Sequence, residues 1–379
     1  MKLYCDIHLP ASKSESNRAL MIAAYGGFSL DLQELSDSQD TRVLANALCD
    51  IHDKKQVIYI ADCGTAARFL TTYLACQEGD WLLTGSERMK QRPIKLLVDT
   101  LAKLGADILY VEKQGFLPLQ IHGKPLLGGK VSVDMSPSSQ FASSLILAAP
   151  MFPLGMDLEL LGKPNSMPYL DMTLSLMQHF GAEVERNERT IRVRPKPYQS
   201  TGFAVSSDWS AASYWYEIAA FCTECEIKLH DLSLPSLQGD SVIAEWMKSF
   251  GVCTTPFEDG FILTKIPFVK QPLFFDFTDC PDLYPTVAAT CAGLNVEARF
   301  TGINNLSLKE SDRVEAMQME LAKLGSQPLH FCAHDDHRVV MALAPLALLN
   351  DLVTFDHPEV VGKSYPGFWE DAAFLFHGK

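Results

Sequence analysis

Two distant segments hold the residues best suited to chemistry, Ser12-Lys13-Ser14-Glu15-Ser16-Asn17-Arg18 and Lys309-Glu310-Ser311-Asp312-Arg313. In the first, an apolar helix pattern begins at Ala19, directly after the serines and cations. A helix start offers free backbone N–H groups and the positive end of the dipole. Ser14 and Arg18 share a face at i,i+4, so the segment suits a phosphate or carboxylate. A Ser-capped helix with solvated charges is the plain alternative. In the second segment Lys309 and Arg313 share a helix face with Glu310 beside them, and a salt-bridged helix start would look the same. Glu310 and Asp282, the latter in a Pro-flanked turn after the strand-like run 273–277, are the two candidate acid/base carboxylates.

Other segments are of the same kind. Asp62-Cys63-Gly64-Thr65 is a small-residue turn opening a helix, another backbone cradle for an anion. Arg92-Pro93 sets an arginine just before a rigid helix start. Ser138-Ser139-Gln140 and Ser166-Met167-Pro168-Tyr169 place hydroxyls and an amide where helices begin, and Arg338 and Lys363 add late cations. Many cations and hydroxyls with two carboxylates suit an enzyme of two anionic small molecules, with proton transfer by carboxylate and lysine. His334 and His337 at i,i+3 are a weak metal pattern that would fit a metal-dependent phosphoesterase. Cys222-Thr223-Glu224-Cys225 has neither a second pair nor a metal-spaced histidine nearby. No Walker loop, nucleophile elbow or dinucleotide fingerprint is present.

These residues need a scaffold, and a weak internal repeat suggests one. Helix-period segments 97–105, 170–181, 242–251 and 314–325 each end in glycine and run into strand-like residues. Glycine is the residue expected just past a helix end, and a repeat this long holds more than one βα unit, so duplicated α/β subdomains follow. The stretch 205–210 breaks the pattern before a long apolar helix at 211–221 and marks a domain crossover. At 379 residues the chain is long for one domain, and 47% apolar with 21% charged residues is a globular composition. A net charge of −14 argues against nucleic acid or an anionic membrane as partner. Ten cysteines without a disulfide framework suit a reducing cytoplasm, and no signal peptide or membrane span is expected.

In order and spacing these motifs resemble the 5-enolpyruvylshikimate-3-phosphate (EPSP) synthase family over nearly the whole chain. The strongest elements are Ser12-Lys13-Ser14-x-Ser16-Asn17-Arg18-Ala19-Leu20, Leu83-Thr84-Gly85 through Arg92-Pro93-Ile94, Ser138-Ser139-Gln140, Lys309-Glu310-x-Asp312-Arg313 and Asp336-His337-Arg338. The resemblance implies an α/β fold, an inside-out α/β barrel of two domains, each built from three βαβαββ-like copies with the active site in the cleft. The first domain would span 12–206, and a discontinuous second would comprise 1–11 and 207–379. It implies transfer of the carboxyvinyl group of phosphoenolpyruvate to the 5-hydroxyl of shikimate 3-phosphate, without metal or organic cofactor; beside it, a cytoplasmic monomer is expected. By the same resemblance Lys13, Ser14, Arg18, Ser138, Ser139, Gln140, Ser166, Tyr169, Asp282, Asn305 and Lys309 surround shikimate 3-phosphate. Lys13, Gly64, Arg92, Gln140, Arg313, Arg338 and Lys363 hold phosphoenolpyruvate. Asp282 is the base on the 5-hydroxyl and Glu310 the proton donor to the methylene carbon, assisted by Lys13.

Two departures stand out. Asp62 and Phe69 replace residues that in the family are usually neutral or Pro, and Asp62 is expected to cap the helix opened by Gly64. The segments 18–64 and 313–338 are shorter than usual, as if a strand pair were trimmed from each. The related UDP-N-acetylglucosamine enolpyruvyl transferase lacks support, because its Cys-bearing loop is not apparent. A non-catalytic anion-binding homologue would not need Asp282 and Glu310.

Overall fold

A computed structural model describes residues 1–136 and 138–376. The chain opens with β1 (Lys2–His8), followed by α1 (Lys13–Gly26) and α2 (Gln39–His52). A first complete βαβαββ unit then runs β2 (Val57–Tyr59), α3 (Gly64–Cys76), β3 (Gly79–Thr84), α4 (Lys95–Lys103), β4 (Asp107–Tyr110) and β5 (Leu119–Gly123). The second runs β6 (Gly129–Asp134), α5 (Ser139–Ala148), β7 (Met156–Leu161), α6 (Met167–His179), β8 (Val184–Arg186) and β9 (Thr190–Val193). Each folds as a four-stranded sheet, ordered β2-β3-β5-β4 and β6-β7-β9-β8, with the first two strands parallel and the last two a hairpin.

A third unit comprises α7 (Trp209–Phe221), β10 (Glu224–His230), the one-turn α8 (Ile243–Trp246), β11 (Val252–Phe257) and β12 (Gly260–Lys265). Its first strand is β1, so some 200 residues separate that strand from its own helix, and the sheet reads β1-β10-β12-β11. The remaining elements are β13 (Leu273–Asp276), α9 (Tyr284–Gly293), β14 (Ala298–Thr301), α10 (Arg313–Leu321), β15 (Leu329–Phe331), α11 (His337–Leu343), β16 (Val353–Phe355) and α12 (Phe368–Asp371). They form two parallel pairs, β13-β14 and β15-β16.

The chain divides into two compact units. One holds Lys13–Leu35 and Asp40–Val205; the other holds Met1–Ser12, Ser36–Gln39 and the residues from Ser206 on. Each has its own core. In the unit containing Lys13, helices α1, α3, α5 and α6 pack on one another and bury Phe69, Leu70, Leu145, Ile146 and Met177, with the sheets outside them. In the other, α7, α9 and α11 do the same, and α7 is buried along every residue because its sequence is apolar on all faces. The central helices therefore leave only their ends accessible, and the candidate functional residues sit at those ends.

Gly105, Gly181, Gly251 and Gly325 all adopt positive φ, 92°, 87°, 76° and 96°, as helix-terminating residues. The first three lead into hairpins. The fourth does not: Gly325 leads to the three-residue β15, which pairs in parallel with β16 across α11. The fourth glycine thus resembles the others only locally. Three complete copies form, not three per unit; among the described residues no strand lies between α1 and α2, and none of the hairpin type follows α10.

Candidate active site

In the unit containing Lys13, the candidate residues lie where α1, α3, α5 and α6 begin. Lys13 is the first residue of α1, and its Nζ lies 3.0 Å from Asp40 Oδ2 at the start of α2, both side chains largely buried. Arg18 is 3% exposed; its guanidinium donates to Thr173 Oγ1 (2.7 Å), the Ser14 carbonyl (2.9 Å) and the Tyr169 carbonyl (3.1 Å). Burial lowers its pKa to about 10, so it stays charged at neutral pH. Three of its five N–H groups are thus committed, two of them tying α1 to α6, and Phe69 and Tyr169 flank it. Ser138 caps α5, its Oγ accepting from the Gln140 amide at 3.2 Å, while Gln140 Nε2 donates to Thr65 Oγ1 at 3.3 Å. Ser166 precedes α6 in the left-handed region (φ 55°), strain that only a supporting surround maintains. Its hydroxyl donates to the Asn165 side chain.

Gly64 opens α3 against the Arg92 guanidinium: a Cβ there would lie 2.7 Å from Arg92 Nη1. Arg68, one turn into the helix, donates to the Gly64 carbonyl (3.0 Å) and the Pro93 carbonyl (3.3 Å). It therefore clamps both backbones that present the cradle and Arg92. Cys63, not Asp62, caps α3, its Sγ accepting from the Ala66 amide. Asp62 instead accepts a short hydrogen bond from Ser86 Oγ, which corrects the expected cap. Its charge is tied into the loop after β3.

The other unit carries a charge network. Arg313, 1% exposed, donates to Asp282 Oδ1 (2.7 Å), Glu310 Oε2 (2.8 Å) and Asp336 Oδ2 (2.8 Å). Arg338 Nη2 donates to Asp282 Oδ2 at 2.9 Å, and Lys309 Nζ lies 3.5 Å from Asp282 Oδ1. Three carboxylates face three cations. Burial alone would raise the Asp282 pKa, but Arg338, Lys309 and Arg313 hold it well below the usual carboxylate range. Burial lowers the Lys309 pKa, partly offset by Asp282. Asp336 is fully buried, caps α11 through the Arg338 amide and also accepts from Ser311 Oγ. Lys363 is buried in a short turn packed against α11, and Asn305 is half-buried ahead of Lys309.

Comparison with known proteins gives this pair of sites its context. The EPSP synthase (3-phosphoshikimate 1-carboxyvinyltransferase) family matches residues 50–372. The chain belongs to the EPSP synthase family. It is 44% identical to the 3-phosphoshikimate 1-carboxyvinyltransferase of Bacteroides fragilis strain YCH46, covering 98% of this chain and 95% of that one. The enzyme of that name from Pasteurella multocida is 34% identical over 99% and 96%. Among solved structures, EPSP synthase from Acinetobacter baumannii superposes with a TM-score of 0.75 at 20% identity, covering 98% of this chain and 96% of that one, a likeness of fold. The family's reaction is enolpyruvyl transfer in the shikimate pathway, and this chain is an enzyme of that class.

Set against the EPSP synthase motifs, the structure gathers Lys13, Ser14, Arg18 and Tyr169 about the α1–α6 start, and Gly64 with Arg92 and Gln140 about α3. It gathers Asp282, Lys309, Glu310, Arg313 and Arg338 into one network. Sequence reasoning gave no role to Asp40, Asp336, Arg68 or Asp240, although Asp336 stands in one of the motifs. Asp336 had a usable signal, an acidic residue directly before an apolar helix. Asp40, 27 residues from Lys13, had none. Asp240 is 2% exposed beside Asp282 and Arg338, accepts from Ser210 Oγ, and is pushed up to about 7 by burial and by Asp282. His334 bonds Glu320 at 2.8 Å, away from any joint site with His337, and among the described residues no group of three or more His, Cys, Asp or Glu could hold a metal.

Proposed function

We propose that this EPSP synthase family member uses the two clusters for the two substrates of one reaction. Lys13, Ser14, Arg18, Ser138, Ser139, Gln140, Ser166 and Tyr169 take shikimate 3-phosphate, with Asp282, Asn305 and Lys309. Lys13, Gly64, Arg92, Gln140, Arg313, Arg338 and Lys363 take phosphoenolpyruvate. The unit of Lys13–Leu35 and Asp40–Val205 is thus the domain on the shikimate 3-phosphate side, and the other unit, with Met1–Ser12, Ser36–Gln39 and the residues from Ser206 on, is the domain carrying the acid/base carboxylates.

The carrying observation is that Asp282 and Glu310 both bind one buried guanidinium, Arg313. In the chemistry this supports, Glu310 protonates the methylene carbon of phosphoenolpyruvate, building cationic character at the adjacent carbon. The 5-hydroxyl attacks that carbon and passes its proton to Asp282. In elimination Glu310 takes a proton from the new methyl group as phosphate leaves, its charge balanced by fixed cations. Held by three cations, Asp282 is a poor base. An anionic substrate that draws Arg313, Arg338 or Lys309 toward itself removes those fields and raises the basicity of Asp282, so binding primes the base.

We place the enzyme in the cytoplasm as a monomer; its ten cysteines are all free thiols, as a reducing compartment favours. No helix among the described residues is long and apolar enough to cross a membrane. The test is phosphate release from phosphoenolpyruvate in EDTA. Release only with shikimate 3-phosphate present is expected; no release under those conditions refutes the reading.

A further inference from the structure

We propose that Glu320 is a positioning residue for the reaction: from α10 it braces the turn that aims Asp336 and Arg338 into the charge network. The inference rests on the reading of Arg338 as a phosphoenolpyruvate ligand. Glu320 stands two helical turns after Arg313 on α10, so the two share a face about 10 Å apart. Both are 1% exposed. A carboxylate this deep requires partners, and Glu320 has three. It accepts from the Cys332 amide at 3.0 Å, from His334 Nε2–H at 2.8 Å and from the Lys323 ammonium. Burial pushes its pKa up, but these hydrogen bonds outweigh burial and hold it below its ordinary value.

Two of those donors belong to a strained turn. The Asp336 amide donates to the Ala333 carbonyl at 2.9 Å, closing a turn whose central residues, His334 and Asp335, both have φ of 52°. Two successive left-handed residues are a pattern that Asn-Gly or Asp-Gly normally fills, because a Cβ is disfavoured there. His334-Asp335 keeps it only with support from outside the turn. Glu320 gives that support on one side. On the other, Asp356, directly after β16, accepts from the Ala333 amide at 2.7 Å.

The strain sits where α11 starts. Asp336, the residue that closes the turn, caps that helix and accepts from Arg313, and Arg338 reaches Asp282 at 2.9 Å. Helix α10 therefore acts twice, with Arg313 as the hub of the network and Glu320 as the brace of the turn that delivers the hub's partners. Freed from Glu320, His334 and Asp335 would relax toward negative φ, and the first turn of α11 would rotate and carry Arg338 off its aim. A residue that only packed the core would, when lost, lower the amount of folded enzyme. That scales kcat and leaves both KM values alone, whereas a brace on Arg338 changes the KM for one substrate.

The experiment follows steady-state phosphate release from the full-length protein with each substrate varied in turn. Glu320→Ala should raise the KM for phosphoenolpyruvate by about 10- to 100-fold, the usual effect of a small misplacement of a binding group, and change that for shikimate 3-phosphate much less. Glu320→Asp keeps the charge but falls a methylene short of the turn; it should show the same split, and serves if Glu320→Ala does not fold. Glu320→Gln should stay near wild type, its carbonyl accepting from the Cys332 amide and its NH2 donating to the other tautomer of His334. Adding His334→Asn and Asp335→Gly to Glu320→Ala should recover most of the lost KM, because that pair adopts the turn unaided. Arg338→Ala is the reference. If it leaves the KM for phosphoenolpyruvate unchanged, the ligand reading fails and the inference with it. If Arg338→Ala raises that KM while Glu320→Ala and Glu320→Asp do not, or the added pair recovers nothing, the brace is refuted and the ligand reading stands.

Discussion

The Arg313 guanidinium meets the Asp282 carboxylate at 2.7 Å from an almost wholly buried position, and its other nitrogens serve Glu310 and Asp336. Residues 31 positions apart are thereby locked, with the two carboxylates proposed as acid and base sharing one cation. Such an arrangement holds its members in place before substrate arrives, which is what preorganised electrostatic catalysis requires.

Arg313→Ala should be the most damaging single change in this network. It leaves three partly or fully buried carboxylates without their shared partner, and breaking buried pairs of this kind costs about 3–5 kcal/mol. Arg313→Lys should rescue little, because one ammonium cannot reproduce three directed contacts. Urea unfolding of both variants checks this. The pH dependence should change as well. The Asp282 pKa is depressed in the folded state, so its stabilisation is present above its unfolded pKa and is lost as pH falls through the folded value. Wild type should lose that stability on acidification, and Arg313→Ala should lose less of it.

Glu310→Gln and Lys13→Met should fold normally yet lower turnover by about 10²-fold or more, the usual worth of an acid catalyst or fixed charge. Steady-state phosphate release measures it, and a loss under about tenfold would contradict the assigned roles.

Gly64→Ala should leave the fold intact, because the atoms a Cβ would meet are the flexible end of Arg92. The displaced guanidinium would lose its aim. Weakening one charge-assisted hydrogen bond of about 1.5–3 kcal/mol predicts a KM for phosphoenolpyruvate higher by about 10- to 100-fold, with kcat changed less.

Glu217 offers a test away from the site. It lies in the middle of α7, is fully buried, and neither carboxyl oxygen has a hydrogen-bond partner among the described residues. Burial raises its pKa well above the ordinary value, so its proton stays on in the folded state. The sign follows: stability is full below the unfolded pKa and falls as pH rises through the folded one. Glu217→Met should therefore raise Tm, with the gain over wild type growing from pH 5 to pH 9 in thermal melts.

Much of the site was legible because it is built from helix starts. The serines before α1 and α5, Gly64 before α3 and Pro168 in α6 obey local rules of capping and backbone conformation that span a few residues. The four helix-ending glycines are legible for the same reason. Asp62 was misread because Asp62 and Cys63 stand side by side ahead of α3, and only the path of the loop after β3, which brings Ser86 to Asp62, left the capping role to Cys63.

The sequence by itself determined which ends of which helices prefer anions and where the apolar faces lie, since both follow from near-neighbour spacing. Tertiary structure decided the pairings: Asp40 with Lys13, Asp336 with Arg313, Arg338 with Asp282 across 56 residues, and β15 with β16 in place of a fourth hairpin. Those choices depend on which helices pack together, and packing is set by the fit of whole buried faces. No local run of residues carries that information.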